Sequence, residues 1–470
     1  MNSRKNILSW ILSVVILITF SACAQQEETL QLSFSSKGKV EYKLDIDEET
    51  FLDSLQYRSS LFFLHETNPE LGIVKDRTAV WAASSIAATG FALPVYAVGV
   101  ERNWMTREEA ANRTLTALNF FLNSEQSIDA AATGYKGFYY HFLDMKTGKR
   151  TWESELSTID TGLLIAGVIF ARQYYNLENE TENQIRETAS KLVDRIDWNF
   201  MVIKDAGKFQ NSICMGWYPE KGFHDMGWIG YNESILLYIL AAGGNLENPK
   251  HSYQAWVNNY DWRTPYPELS HAAFPPMFGH QYSHMFIDFR GITDYYMKEK
   301  GIDYFENSRR ATLVQRQYAI DNPEGWKGYD SLCWGITACD GPGNSYNYNG
   351  KEFLSYAGRG TSGPDLVFFD DGTIAPTAAA GSIVFSPETV IPTLMNINSI
   401  YSPKGLWGHY GFFDSFNPTL DWINNDYIGI DQGPIVIMIE NLRTGLIWNY
   451  VMKDTLIQKG LKSLGFETHN

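Results

Sequence analysis

Two kinds of helical pattern alternate along this chain, and they constrain its fold more than any other feature. Segment 181–198 (TENQIRETASKLVDRIDW) is amphipathic, with its apolar residues on one side. Segments 161–171 (TGLLIAGVIFA) and 434–442 (PIVIMIENL) are apolar nearly all round, which indicates helices buried on every face. About six segments of each kind predict an all-α (α/α)6 toroid, in which outer helices enclose inner ones. Periodicity alone leaves another large α-rich fold open.

The predicted helices are spread over almost the whole chain, and their boundaries carry a margin of several residues. They are 49–66, 78–91, 106–123, 158–176, 181–197, 232–243, 250–257, 282–299, 303–320, 387–397, 434–447 and 450–463. The longest stretch between them, 322–386, contains alternating apolar runs that indicate small hairpins. A connection of this length is uncommon in a compact domain unless it serves function. Without a linker over 47–470, we predict a single domain there.

The N-terminus has the pattern of a targeting segment. Two basic residues precede an apolar run over 7–20, about 14 residues long and too short to span a bilayer. The run ends in FSAC, and a small residue directly before Cys23 resembles a bacterial lipobox. We predict a lipoprotein signal peptide over 1–22, lipidation of Cys23 and a polar tether over 23–46. Ordinary cleavage next to Cys23, which would give a soluble secreted protein, is the alternative.

The charge balance and the motif content exclude several classes of partner. With 54 acidic and 38 basic side chains the formal net charge is −16, whereas nucleic-acid binding requires a basic surface. None of the four cysteines forms a CxxC pair, and there is no HExxH, no Walker A and no GxGxxG after a strand. We therefore predict no cofactor, no metal and no nucleic-acid partner. We expect a monomer whose contact with the membrane is the lipid anchor.

Carboxyl groups recur where the predicted apolar helices begin. Glu233 falls in the first turn of one such helix, and Asp431 falls just before the helix that Pro434 would start. Glu155 and Asp160 flank the start of another. In an α-toroid the loops meet the N-termini of the inner helices at the active site, and glycoside hydrolysis requires two carboxyl groups across the scissile bond. Capping of a helix N-terminus is the structural alternative for each residue.

Histidines cluster in the segment 271–291 (HAAFPPMFGHQYSHMFIDFRG). His280 and His284 are four residues apart, so they could share one face of a helix, and that spacing is compatible with a metal. No zinc motif containing glutamate surrounds them. A sugar-contacting or structural role is therefore the favoured interpretation.

Three long blocks of the sequence carry a family resemblance. GITACDGPG, DGTIAPTAAAGSIVFSPE and YIGIDQGPIVIMIENLRTGLIW resemble the glycoamylase-like domain of bacterial secreted proteins. Over most of its length the chain resembles glycoside hydrolase family 144, whose known activities are on β-1,2-glucans. The resemblance implies an (α/α)6 toroid, a glycoamylase-like catalytic domain over 47–470, and hydrolysis with inversion.

The resemblance also implies roles for individual residues. Glu233, in the block GYNES, corresponds to the general acid, and Asp431, in the block IDQGP, corresponds to the general base. The residues predicted to bind substrate, from the resemblance or, for Glu155, from its position near Asp160, are Trp152, Glu155, Asp160, Trp228, His280, Gln281, Trp334 and Asp340. Aromatic residues make up 14% of the chain, which fits sugar sites in which a pyranose stacks on aromatic faces.

The predicted function is hydrolysis of a β-glucan, in the first place β-1,2-glucan, by an inverting acid/base mechanism. The protein would be an outer-membrane lipoprotein that faces the periplasm or the cell surface. Two alternatives stay open: a hydrolase of another glucan, such as starch or another β-glucan, on the same fold, and a non-catalytic glycan-binding lipoprotein. The presence of both Glu233 and Asp431 favours an enzyme. The sequence does not distinguish endo from exo cleavage.

Overall fold

The computed structural model describes residues 33–346 and 348–469. A compact unit begins at Phe34. The α-helices in the described residues are α1 (Ile46–His65), α2 (Ile86–Glu101), α3 (Arg107–Asn123), α4 (Thr158–Tyr174), α5 (Glu180–Asp194), α6 (Ile235–Gly243), α7 (Pro249–Val257), α8 (Tyr282–Phe286), α9 (Tyr295–Lys300), α10 (Tyr304–Asp321), α11 (Pro376–Ala380), α12 (Pro387–Tyr401), α13 (Gly429–Arg443), α14 (Leu446–Val451) and α15 (Thr455–Leu464). Short 3-10 helices cover Trp198–Met201, Met277–His280 and Ser402–Lys404.

The strands of the same residues are two or three residues long. They are β1 (Ser84–Ser85), β2 (Gly134–Tyr135), β3 (Phe138–Tyr140), β4 (Phe142–Leu143), β5 (Leu156–Ser157), β6 (Gly216–Tyr218), β7 (Gly222–Phe223), β8 (Trp262–Arg263), β9 (His271–Ala272), β10 (Ile292–Thr293), β11 (Gly360–Thr361), β12 (Val367–Phe369), β13 (Trp407–Gly408), β14 (Gly411–Phe412), β15 (Phe416–Asn417), β16 (Trp422–Ile423) and β17 (Glu467–Thr468). One antiparallel sheet has five strands in the order β2-β3-β5-β6-β7, and the others are pairs.

Buried and partly exposed helices alternate along the chain. Helices α2, α4, α6, α8, α11 and α13 are buried over most of their length, and two of them, α8 and α11, have only five residues. Helices α1, α3, α5, α7, α10 and α12 bury one side and expose the other. The predicted (α/α)6 toroid is therefore confirmed, because an apolar surface on every side lets the inner helices pack against neighbours all round.

Glycines allow two of the inner helices to approach closely. Gly90 of α2 and Gly167 of α4 face each other, and a Cβ atom on Gly167 would lie 2.1 Å from the carbonyl oxygen of Gly90. A Cβ atom on Gly90 would in turn lie 2.6 Å from the Cα of Leu164. These contacts are too short for any side chain, so the spacing of α2 and α4 depends on both glycines.

A buried ion pair organises the long segment 322–386. Arg359 and Asp371 are fully buried, and the guanidinium donates to both carboxylate oxygens at 2.8 and 2.7 Å. The same guanidinium donates to the carbonyl oxygens of Cys339 at 2.6 Å and Leu354 at 2.7 Å. The predicted hairpin character is confirmed by the pairing of β11 with β12, although α11 also lies in this segment.

Two predicted helices have different bounds. The prediction 78–91 begins too early, because residues before Ile86 form a loop and β1, and Ser85 caps α2 by accepting from the backbone N–H of Ala88 at 3.2 Å. The prediction 282–299 is interrupted after Phe286, where Arg290 folds back to pair with Asp288 at 2.7 Å. In both cases the run of apolar residues is longer than the helix, and a local polar contact sets the helix boundary.

Only part of the N-terminal segment lies within the described residues. The predicted signal peptide 1–22 and Cys23 lie outside the described residues. The end of the predicted tether 23–46 packs on the compact unit: Phe34 is buried, and its backbone N–H and carbonyl pair with the side-chain amide of Gln458 at 3.1 and 2.6 Å. No helix in the described part of the chain is both long enough and apolar enough to cross a membrane.

The glycine contact generates a stability prediction with a control in the same helix. Gly167→Ala should lower the free energy of unfolding by about 1–3 kcal/mol or more, because the added methyl group forces α2 and α4 apart. At Gly162 a Cβ atom would meet only the end of the Leu237 side chain, at 3.2 Å. Gly162→Ala should therefore change stability by less than about 1 kcal/mol. Urea unfolding of both variants measures this, and equal effects would contradict the close-contact explanation.

Candidate active site

A small cavity lies where three inner helices begin. Its volume is about 70 Å³, and it is lined by Gln281 and Tyr282 at α8, Thr377 of α11, and Ile430 and Asp431 of α13. Loop residues complete the wall: Phe278, Thr337, Ala338 and Tyr356. A polar cavity of this size accommodates a few water molecules. It therefore offers a place for a nucleophilic water next to a carboxyl group.

Asp431 lies inside the first turn of α13, so the prediction that it precedes the helix is wrong. The helix begins at Gly429, and Pro434 is in its interior. Proline has no N–H to donate to the carbonyl four residues earlier, which belongs to Ile430. The hydroxyl of Tyr282 donates to that carbonyl instead, at 3.2 Å. A side chain from α8 thus replaces the missing helical bond beside Asp431.

Glu233 lies just before α6 rather than in its first turn, because Ser234 is the N-cap residue. Its backbone carbonyl accepts a hydrogen bond from the Ser283 hydroxyl at 2.6 Å. The Oε2 atom is buried and has no hydrogen-bond partner among the described residues. Burial, with a smaller contribution from the nearby Asp160 carboxylate, raises the pKa of Glu233 to about 7. Such a carboxyl group keeps its proton up to neutral pH, as a general acid requires.

Asp431 shares its environment with a second carboxyl group, that of Asp414. The Oδ2 atom of Asp414 accepts from the backbone N–H of Asp340 at 2.8 Å, from Asn424 at 3.0 Å and from Ser415 at 3.1 Å. Its Oδ1 atom and the Oδ2 atom of Asp431 are both buried and lack a donor in the described part of the structure. The two side chains are within hydrogen-bonding reach of each other. One proton held between them would satisfy both oxygens.

The pKa values of both Asp414 and Asp431 are raised. Burial and the charge of Asp340 raise the pKa of Asp414 to about 6. Burial and the Asp414 carboxylate raise the pKa of Asp431 well above its usual value, while Arg77 opposes this shift. Two carboxyl groups this close cannot easily both ionise. The pair therefore holds a proton to higher pH than a solvated aspartate does, and its ionised member supplies a basic oxygen.

Arg77 balances the negative charge on this side of the site. Its guanidinium lies 2.8 Å from Asp340, 3.2 Å from Asp76 and 3.6 Å from Asp426. Asp340, predicted to bind substrate, is half-buried and also accepts from Asn424 at 3.1 Å. Its carboxylate is therefore held mainly by protein groups.

His141 connects the two carboxylates predicted at the start of α4. Its Nδ1 lies 2.9 Å from Glu155, and its Nε2 lies 3.6 Å from Asp160. Burial lowers the pKa of His141, but Asp160 and Glu155 outweigh this effect and raise it to about 9. The three groups are close enough together to hold a metal ion. Because each ring nitrogen faces a different carboxylate, an imidazolium cation already pairs with both of them.

Two residues predicted to contact sugar lie in the core, so those predictions are wrong. Trp334 is fully buried, and its indole N–H donates to Thr393 at 2.9 Å. His280 is also fully buried, with its ring packed 4.8 Å from that of Tyr231. His284 belongs to α8 whereas His280 ends a 3-10 helix, so the two do not share one helix face.

Two further predicted residues support the site without presenting their polar groups to it. The indole N–H of Trp228 donates to the Thr158 hydroxyl at 2.9 Å, which fixes the start of α4. The side-chain amide of Gln281 donates to the carbonyl of Ala378 at 2.7 Å and thus joins α8 to α11. Of the predicted set, Asp160 is nearly buried beside Glu233, Glu155 is partly exposed, and Trp152 is half-exposed.

Sequence reasoning missed Asp414 and Arg77, which complete the base side. Asp414 lies in the loop between β14 and β15, and Arg77 lies in the loop before β1. Neither position has a helical period or a recognisable motif. Asp414 stands among aromatic residues in GFFDSF, and an isolated acidic residue in such a run is the one signal that marked it.

A toroid of alternating inner and outer helices, with buried carboxyl groups at the N-terminal ends of α6 and α13, defines an (α/α)6 glycoside hydrolase. A family model described as "Putative glucoamylase" matches residues 225–455. A protein of the same description from Bacteroides uniformis has a TM-score of 0.78 and 31% identity, over 91% of this chain and 99% of that one. The chain belongs to this glucoamylase-like family, and the predicted resemblance is confirmed.

Two other relatives carry more specific names. An endo-β-1,2-glucanase from Chitinophaga pinensis, solved with sophorotriose and glucose, has a TM-score of 0.77 and 26% identity, over 91% of this chain and 99% of that one. An exo beta-1,2-glucooligosaccharide sophorohydrolase (non-reducing end) from Parabacteroides distasonis is 29% identical over 457 residues. That alignment covers 89% of this chain and 58% of the relative, so the chain spans little more than half of that protein.

The shared environment of Asp414 and Asp431 generates a pH prediction. The wild-type kcat/KM should follow a bell with an alkaline limb near pH 7, from Glu233, and an acidic limb above the usual range of an aspartate, from the raised pKa values of the carboxyl pair. Asp414→Asn removes the neighbouring charge that raises the pKa of Asp431. Asp431 then ionises at lower pH, and the acidic limb should move down by about one unit.

Ser415→Ala is the control for this prediction. It removes one donor to Asp414 but leaves both carboxyl groups in place. It should not move the acidic limb to lower pH, because losing a donor to a carboxylate raises its pKa rather than lowering it. A rate loss in Asp414→Asn with an unmoved acidic limb would show that Asp414 acts through packing alone.

Proposed function

We propose that this protein hydrolyses β-1,2-glucan by a single displacement with inversion at the anomeric carbon. The observation that carries the proposal is the contrast between Glu233 and Asp431. Glu233 is a buried carboxyl group whose Oε2 atom has no hydrogen-bond partner in the described residues, and it holds its proton up to about neutral pH. Asp431 belongs to a carboxyl pair that retains a basic oxygen beside a cavity of water size.

In the proposed mechanism each residue carries out one step. Glu233 donates its proton to the glycosidic oxygen as the bond from that oxygen to the anomeric carbon breaks. Asp431 accepts a proton from the water whose oxygen attacks the same carbon from the opposite face. Tyr282 lies within electrostatic reach of both residues: burial raises its pKa, and the charges of Asp431 and Glu233 raise it further. When the product leaves, the Asp431 pair releases a proton and Glu233 takes one up.

The relatives support the choice of linkage. The Chitinophaga and Parabacteroides proteins differ in endo or exo cleavage, but the names of both specify β-1,2-linked glucose. The name glucoamylase in the family description points to starch instead. The protein should therefore be incubated with linear β-1,2-glucan, β-1,3-glucan and starch. We expect reducing ends from β-1,2-glucan, with the first product released as the α-anomer by NMR; a β-anomer would exclude inversion.

Variants of the two carboxyl groups test the assignment of roles. Glu233→Gln and Asp431→Asn should each reduce kcat about 10²–10⁴-fold, as is usual for a positioned acid or base. Their thermal unfolding should stay close to that of wild type, because neither change removes a hydrogen bond made to the altered carboxyl oxygen in the described structure. Glu299→Gln, on the exposed side of α9, is the control and should remain active. Full activity in either site variant would remove that residue from the mechanism.

The localisation is a separate part of the proposal and rests on the sequence of the N-terminus. We propose that Cys23 is lipidated and anchors the protein to the outer membrane. Cells that express the full chain should incorporate a palmitate analogue into wild-type protein but not into Cys23→Ser. Label in the Cys23→Ser variant, or no label in wild type, would contradict the anchor and leave the hydrolase proposal intact.

A further inference from the structure

Two exposed tryptophans form a platform outside the catalytic cavity. Trp81 is 68% exposed and Trp152 is 50% exposed, and their ring centroids are 5.8 Å apart. They come from two separate loops, one before β1 and one before β5. Large aromatic side chains are among the residues that gain most from burial. An exposed pair of tryptophans in contact with each other therefore indicates a role other than stabilising the fold.

The Trp81–Trp152 platform connects the two halves of the site. On the base side, the Arg77 guanidinium lies over the ring of Trp81, with its carbon 5.8 Å from the centroid, and the same group pairs with Asp340. On the acid side, Trp152 contacts Phe142, whose ring stacks on His141 at 3.8 Å. The platform is thus linked on one side to Arg77, whose charge acts on Asp431, and on the other side to His141, which pairs with Asp160 near Glu233.

The backbone at Trp152 adopts an uncommon conformation. Trp152 and Glu153 have φ angles of 56° and 51°, in the left-handed region that side chains other than glycine and asparagine rarely adopt. The side chain of Arg150 stabilises this turn by donating to the Ser154 carbonyl at 2.6 Å. Strain of this kind is concentrated at ligand sites, where it presets a side chain for binding.

We propose that the Trp81–Trp152 platform is a distal subsite that binds a glucosyl unit of the chain beyond the units held at Glu233 and Asp431. The apolar face of a pyranose ring matches an exposed indole face. This inference rests on the proposed function, since the ligand is the same glucan. Trp152 was predicted to bind substrate, whereas Trp81 carries no sequence signal.

A distal subsite has a consequence that a catalytic subsite lacks. A long glucan reaches the platform while it is bound at Glu233 and Asp431, and a short oligosaccharide does not. The platform therefore adds binding energy for polymer only. The ratio of kcat/KM for polymer to kcat/KM for a trisaccharide measures this contribution directly.

Trp81→Ala is the variant of choice, because most of this side chain is already exposed and the fold does not depend on it. For a lost aromatic contact, the ratio of kcat/KM for β-1,2-glucan polymer to that for sophorotriose should fall about three- to tenfold. Trp81→Phe should recover part of the loss. Phe368→Ala, at a 69% exposed aromatic on β12, is the control and should leave the ratio unchanged. An unchanged ratio in Trp81→Ala would overturn the proposal.

Affinity gel electrophoresis keeps this test independent of catalysis. In the Glu233→Gln background, gels that contain β-1,2-glucan, β-1,3-glucan or starch should retard the protein, and adding Trp81→Ala should weaken the retardation. Retardation by a glucan other than β-1,2-glucan, with the same dependence on Trp81, would reject the proposed substrate and retain the subsite. No retardation in any gel, or retardation that does not depend on Trp81, would reject the subsite itself.

Discussion

The burial of the inner helices on every side is the constraint on which the remaining structure depends. Apolar side chains cover these helices all round, so polar chemistry is confined to their ends and to the loops that join them. The N-terminal ends of α8, α11 and α13 open on one cavity, and Glu233 precedes α6 nearby. The close contact of Gly90 with Gly167 brings two of the inner helices, α2 and α4, together.

The surroundings of the two carboxyl groups give them opposite roles. Glu233 is isolated in a buried position, which favours its neutral form. Burial and the neighbouring Asp414 carboxyl group raise the pKa of Asp431, and Arg77 supplies positive charge close by. Two carboxyl groups at the same end of the toroid thus act differently: Glu233 donates a proton and Asp431 accepts one. The difference is made by neighbours that no local sequence pattern identifies.

The architecture could be predicted from the sequence because the apolar residues of many helices recur with a helical period. Glu233 and Asp431 could be found because they stand where apolar segments begin, although the helix boundary was placed on the wrong side of both. Pro434 caused one of these errors, since proline usually starts a helix and here lies inside one. Trp334 and His280 were misassigned because residue type does not report burial. Arg77 was missed because its loop has neither period nor motif, and Trp81 was missed because it fell inside the predicted helix 78–91.

Pro434 makes the turn that carries Asp431 depend on a contact between two helices. Within an ordinary helix each turn is held by its own backbone, but here Tyr282 of α8 supplies the bond that Pro434 cannot. Tyr282 also lines the cavity. A ligand that displaces its hydroxyl would release the carbonyl of Ile430 and soften the backbone under the base. Occupancy of the cavity and the stiffness of the turn that holds Asp431 are thus mechanically linked.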